Sequence, residues 1–305
     1  MPNVRLQTVR RQFVIGVPEG QQQVVIVSDV QLSQRHAAPG IAAPVFSVTA
    51  EDVVTSPYPH ALSEQLIRPD LYRRLKAEFP ADAFFEQHQK TIGSRTGRDL
   101  FKGDPHFERF IESSPAWTEF YEYIGSQAFI DYALKLFGPH FQQFKCAVDP
   151  QQARLVDYTE NRFSLWWRSK KAIYLGSRAG NPNDLFTRFD IEQSALGYDK
   201  PVHCDWPSRL ISVIVYFCDA DEIGMDGGDL RMHAPLDDRP YEDCPRQPPP
   251  EADLKIVQRL RPRENLGMLF LCTNNSYHSV TAVRSISSYR RFIYLNISSR
   301  AENIW

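Results

Sequence analysis

The residues of this chain whose types and spacing could do chemistry are His203, Asp205 and His278. His203 and Asp205 flank Cys204 in the stretch from Pro201 to Pro207, which runs directly into the apolar segment Arg209 to Phe217. Alternate side chains of an extended strand project from one face, so the imidazole and the carboxylate converge while Cys204 points away. A His-x-Asp tripeptide alone is common and carries little information. Joined by a third ligand from a distant strand, here His278, it becomes the two-His-one-carboxylate arrangement that holds non-haem Fe(II) and leaves adjacent positions open. Two arginines, Arg290 and Arg291, open a later stretch, Tyr289 to Ile297, whose aromatic and β-branched content reads as a strand.

Taken in order, His203-x-Asp205, then Gly227-Gly-Asp-Leu230 opening a strand, then Ser276-Tyr-His278-Ser-Val280, then Arg290-Arg291, resemble the Fe(II)/2-oxoglutarate-dependent dioxygenase superfamily, nearest its prolyl-hydroxylase-like branch. The resemblance runs from Leu185 to Ser299. It implies a mainly β fold with flanking helices: a double-stranded β-helix (jelly-roll) core supported by N-terminal helices. It also implies that His203, Asp205 and His278 are the catalytic iron ligands, that 2-oxoglutarate and O2 join Fe(II), and that one arginine anchors the far carboxylate of the keto-acid. A guanidinium does this bidentately. Arg291 is the expected anchor, because the in-phase residues Ile293, Leu295 and Ile297 are apolar and belong inside a barrel; Arg290 then shares a face with Phe292 and Tyr294. Tyr216 and Arg209 could also reach the co-substrate, with structural roles equally open. His233 competes for the third ligand place but lies too close to Asp205 in sequence, whereas a jelly roll joins its second and seventh strands.

Other elements must position these residues. Residues 1–45 read as a β-hairpin extension, Val4 to Leu32 turning at Pro18-Glu-Gly20, followed by an Ala/Pro/Gly linker in which His36 is solvated. Residues 46–305 form the oxygenase domain, with helical support between about residues 60 and 141. A strand-like stretch, Tyr58 to Ile67, precedes a helix with Pro69 in its first turn, Leu71, Leu75 and Phe79 on one face, and Pro80 closing it. Phe107 to Phe141 repeats aromatic and aliphatic residues at helical spacing and stops at Gly138-Pro139. Thr91 to Asp99 reads as a polar loop. Gln152 to Tyr158 and Phe163 to Arg168 read as strands, with Trp166 and Trp167 on opposite faces. Leu185 to Ile191 and Leu210 to Phe217 are further strands, the latter buried on both faces. The insertion 236–252, with Pro248-Pro-Pro250, is either flexible or a lid.

Composition narrows the class. Lys and Arg number 35 against 37 Asp and Glu, so no net field draws the chain to nucleic acid or to an anionic membrane. The five cysteines include no C-x-x-C pair and read as reduced thiols; with a polar N-terminus this gives a cytoplasmic expectation. The implied reaction is hydroxylation of an unactivated C–H, or desaturation, with release of succinate and CO2. Related halogenases have Gly or Ala where Asp205 stands. The expected partner is a small-molecule substrate or carrier-bound intermediate (amino acid, sugar or natural product), and a homodimer is left open. The alternatives are a peptidyl hydroxylase of the same superfamily, a cupin-like metal enzyme, and a non-catalytic binding module.

Overall fold

The computed structural model describes residues 44–85, 97–101, 105–157 and 162–305. The expected hairpin from Val4 to Leu32, His36, and the loop residues Thr91 to Thr96 lie outside the described residues.

Eight strands build the barrel: β4 (Asp184–Ser194), β5 (Lys200–His203), β6 (Arg209–Tyr216), β7 (Leu230–Pro235), β8 (Leu254–Leu260), β9 (Gly267–Leu271), β10 (His278–Val280) and β11 (Arg290–Ser299). Three shorter strands precede them: β1 (His60–Ser63), β2 (Gly97–Phe101) and β3 (Arg154–Leu155). The larger sheet has the order β1-β9-β6-β11-β4-β2, with β3 paired to β4; the smaller has the order β5-β10-β7-β8. Apart from the β7–β8 hairpin, successive strands from β4 to β11 switch sheets, and all pair antiparallel. That alternation is the double-stranded β-helix expected from the sequence. β2 begins at Gly97, so the end of the stretch read as a loop is strand.

Helices cover the outer face of the larger sheet. They are α1 (Pro69–Ala77), α2 (Pro105–Ser113), α3 (Pro115–Ile124) and α4 (Gln127–Phe137). Proline at the first helical position fits α1, because its missing N–H has no partner there and its φ is already helical. The buried faces of these helices, including Leu71, Leu75, Phe107, Trp117, Phe120 and Phe129, pack with Ile211, Val213, Val215, Ile293, Leu295 and Ile297 in one cluster. Each such burial contributes about 1.5–3 kcal/mol relative to exposure. Trp117 also donates from Nε1 to the Leu75 carbonyl at 3.1 Å, which removes the cost of burying its one polar atom.

One element differs from its sequence reading. Phe163 to Arg168 is not a strand but part of a helix, α5 (Arg162–Leu175). Two adjacent tryptophans in a strand must face opposite ways; in a helix they lie only about 100° apart and can share a side. Trp166 and Trp167 are both exposed, at 44% and 54%, and their rings lie 6.1 Å apart, tilted by 36°. Arg168 fastens α5 by donating to the carbonyls of Ser299, Arg300 and Ala301.

Candidate metal centre

β10 lies between β5 and β7, so the seventh barrel strand abuts the second. In the β5–β10 ladder His278 stands opposite His203, and their ring centroids are 4.2 Å apart. One ligand atom from each of His203, Asp205 and His278 falls within 4.8 Å of the others. The three residues named from the sequence are therefore brought together.

Each imidazole is oriented by its own backbone. His203 Nδ1 lies 2.8 Å from the Pro201 carbonyl, and His278 Nδ1 lies 2.8 Å from the Ser276 carbonyl. A carbonyl only accepts, so Nδ1 carries the proton and Nε2 keeps its lone pair for a metal. Among the described residues, buried His203 Nε2 has no hydrogen-bond partner. Burial pushes the pKa of both imidazoles down, with His278 as the next cause for His203, so the rings stay neutral and able to ligate.

Asp205 lies just beyond the end of β5 and is 4% exposed. Its Oδ1 accepts from Arg209 Nη1 at 2.6 Å, and its Oδ2 accepts from Ser212 Oγ at 2.6 Å and from the Tyr294 hydroxyl at 2.9 Å. Burial alone would raise its carboxyl pKa, but the Arg209 guanidinium, and after it His278 and Lys200, hold it well below the usual range. Burial also pushes the Tyr294 phenol well above its ordinary value, which keeps it a donor to this carboxylate. Cys272 Sγ also donates to Oδ2, at 3.6 Å, so the crowded oxygen is Oδ2, while Oδ1 accepts, among the described residues, from Arg209 alone and keeps a lone pair for a cation.

The two arginines at the head of β11 face opposite layers. Arg290 is 1% exposed; it donates from Nε to the Gly228 carbonyl at 3.0 Å and from Nη2 to the Tyr216 hydroxyl at 3.0 Å. Its Nη1 is buried without a partner, and no carboxylate forms an ion pair with it among the described residues. Its alternate neighbours Phe292 and Tyr294 face the barrel interior with Tyr216. Arg291 instead reaches Asp82 at 3.0 Å and lies over the Phe79 ring, on the helix-covered side. The expectation that Arg291 points inward is corrected. Its in-phase residues Ile293, Leu295 and Ile297 are apolar because they meet the helices, whereas the inner face carries the polar groups of the site.

Tyr216 is fully buried and borders Arg290, as the sequence reading allowed. His233 is outside the cluster: its Nε2 lies 2.8 Å from Ser279 Oγ. Ser212, Tyr294 and Arg246 contact the centre and were not singled out from the sequence. Ser212 had a signal, as the lone polar residue between Leu210 and Phe217. Arg246 had none, because it lies among prolines.

No protein-family model matches the chain, and no curated protein matches it. Solved structures similar to it include a prolyl 4-hydroxylase from Phytophthora capsici (11% identity, TM-score 0.42, 79% of this chain and 58% of that one). Another is a prolyl-4-hydroxylase from Pseudomonas putida (14%, TM-score 0.43, 79% and 92%), and a third is an oxidoreductase of the 2OG-Fe(II) oxygenase family from Burkholderia pseudomallei (14%, TM-score 0.33, 77% and 93%). The chain thus spans 58% of the Phytophthora protein's length. At this distance the functional reading rests on the strand order and site geometry of this chain itself.

Proposed function

We propose that the chain is a non-haem Fe(II)- and 2-oxoglutarate-dependent oxygenase that hydroxylates an unactivated C–H of a small molecule or carrier-bound intermediate. The observation that carries this reading is one barrel interior with a His-Asp-His cluster toward one end and a buried, charge-unpaired Arg290 toward the other. Both groups fit what they would hold. Two imidazole Nε2 atoms and a carboxylate would make a donor set suited to Fe(II), and His203 Nε2 has no hydrogen-bond partner among the described residues. A buried guanidinium without an ion pair costs several kcal/mol, which a dicarboxylate's far end would offset.

The two groups are joined by β11. Tyr294 contacts Asp205, and Arg290 lies four positions earlier on the same face, about 13 Å away along the strand, with its long side chain shortening the gap. Arg290 and the Tyr216 hydroxyl would hold the far carboxylate of 2-oxoglutarate. Phe292, Met268 and Phe270 supply apolar wall that keeps water from this interior. His203, Asp205 and His278 would hold the iron. Bound there, Fe(II) supplies O2 activation coupled to oxidative decarboxylation of the keto-acid, yielding succinate and CO2.

Purified protein with Fe(II), ascorbate and 2-oxoglutarate is expected to release succinate, faster with a panel of amino acids, sugars and carrier-bound acyl or aminoacyl groups. Absence of Fe(II) binding and of 2-oxoglutarate binding in the same preparation would overturn the proposal.

A further inference from the structure

The ladder that aligns His203 with His278 does not extend to Asp205. β5 ends at His203, and the turn from Cys204 to Ser208 leaves the sheet before β6 begins. The Asp205 side chain is held by Arg209, Ser212 and Tyr294, and the far end of the turn is tied by Ser299 N to the Ser208 carbonyl at 2.8 Å and by Ile304 N to the Pro207 carbonyl at 3.1 Å. The backbone of Asp205 itself is held by the Pro-rich segment between β7 and β8.

That segment leaves β7 after Pro235 and rejoins β8 at Leu254, closed at its base by a hydrogen bond of 2.9 Å from Leu236 N to the Asp253 carbonyl. It is anchored outside the barrel where the Tyr241 hydroxyl donates to the Phe144 carbonyl at 3.0 Å and the two rings pack edge to face. It then crosses the metal end. The Tyr277 hydroxyl, next to His278, donates to the Pro245 carbonyl. Arg246 spreads its guanidinium across two segments: Nε donates to the Asp205 carbonyl at 3.1 Å, Nη2 to the same carbonyl and to that of Cys272 at 3.2 Å, and Nη1 to Asn274 Oδ1 at 2.9 Å. Cys272 and Asn274 precede His278, so one planar cation ties the turn carrying Asp205 to the connection that leads into β10 and His278.

We propose that Arg246 is a positioning residue of the metal centre, and that the Pro-rich segment is a fixed clamp that sets the Asp205-to-His278 spacing rather than a lid. The proposal rests on the metal reading above. The segment contributes no ligand of its own. Its prolines limit backbone freedom, which lowers the entropy lost in holding Arg246 in place. A lysine cannot reproduce the fork, since a point ammonium does not span acceptors on two separate turns.

The test uses the full chain, with Co(II) as an air-stable probe for Fe(II). Arg246→Ala is expected to keep the far-UV circular dichroism of the parent but to bind Co(II) about 10–100-fold more weakly, with altered d–d absorption. Arg246→Lys should recover only part of this, and added methylguanidinium should restore affinity to Arg246→Ala. Arg239→Ala, in the same segment but paired with Asp237 at the surface, should leave binding unchanged. Without metal, amide exchange at residues 204–209 and 272–277 should rise in Arg246→Ala. If that variant does not fold, Asn274→Ala removes only the Nη1 acceptor and should still weaken Co(II) binding several-fold. Unchanged Co(II) affinity and spectrum in the folded variants, or an equal loss in Arg239→Ala, would overturn the clamp. Failure of the parent protein to bind Co(II) would instead overturn the metal reading, and unchanged amide exchange in metal-free Arg246→Ala would still count separately against the clamp.

Discussion

His278 stands opposite His203 across the β5–β10 ladder, with both imidazoles turned by carbonyls two residues before them. Removing either ring leaves two donors of three. His278→Ala is expected to lower Fe(II) or Co(II) affinity by at least about 100-fold, beyond the 10–100-fold typical of losing a supporting contact. Calorimetric titration checks this, and affinity retained in that variant would sink the assignment of His278.

Arg290 and Arg291 separate the inner face of β11 from the outer. Arg290→Ala is expected to weaken 2-oxoglutarate binding by about 10–100-fold, the loss of hydrogen bonds to a charged group at about 1.5–3 kcal/mol. Arg291→Ala loses a partly exposed pair with Asp82 and should change stability by about 1 kcal/mol or less and co-substrate binding hardly at all. Tryptophan-quenching or calorimetric titration with 2-oxoglutarate on metal-loaded protein distinguishes them; the reverse order of effects would return the anchor to Arg291.

Two tryptophans give a matched stability comparison. Trp117 is fully buried between the helices and the larger sheet, stacked on Phe189 with centroids 6.0 Å apart. Trp117→Ala is expected to cost about 3–5 kcal/mol in urea unfolding. Trp167→Ala, on the exposed side of α5, should stay within about 0.5 kcal/mol of the parent.

The entry to β7 depends on a glycine. Gly227 has φ +80°, and a Cβ there would sit 1.9 Å from the Ala282 carbonyl oxygen. The next residue, Gly228, supplies the carbonyl that Arg290 holds. Gly227→Val is therefore expected to lower the melting temperature and to weaken 2-oxoglutarate binding together, because the collision displaces the Arg290 acceptor. An unshifted melting temperature would show that this approach is not required.

The chain's residue types and order determined the main barrel strands and the outer helices, and put two of the three donors, His203 and Asp205, two residues apart. Those features are local, as when helical spacing gathers Leu71 and Leu75 on one face, whereas His278 meets them only through the β5–β10 ladder. What only the tertiary structure decided is which side of a strand is inside. Ile293, Leu295 and Ile297 read as barrel interior by hydrophobicity, yet the more apolar side of β11 is the one sealed by helices, and the interior keeps Arg290 and Tyr294. Hydrophobicity reports burial, not which of two buried layers a residue meets. The same limit made α5 read as a strand, because two adjacent tryptophans carry no periodicity that separates a helix from a strand. It also hid Arg246, whose role exists only where two distant turns meet.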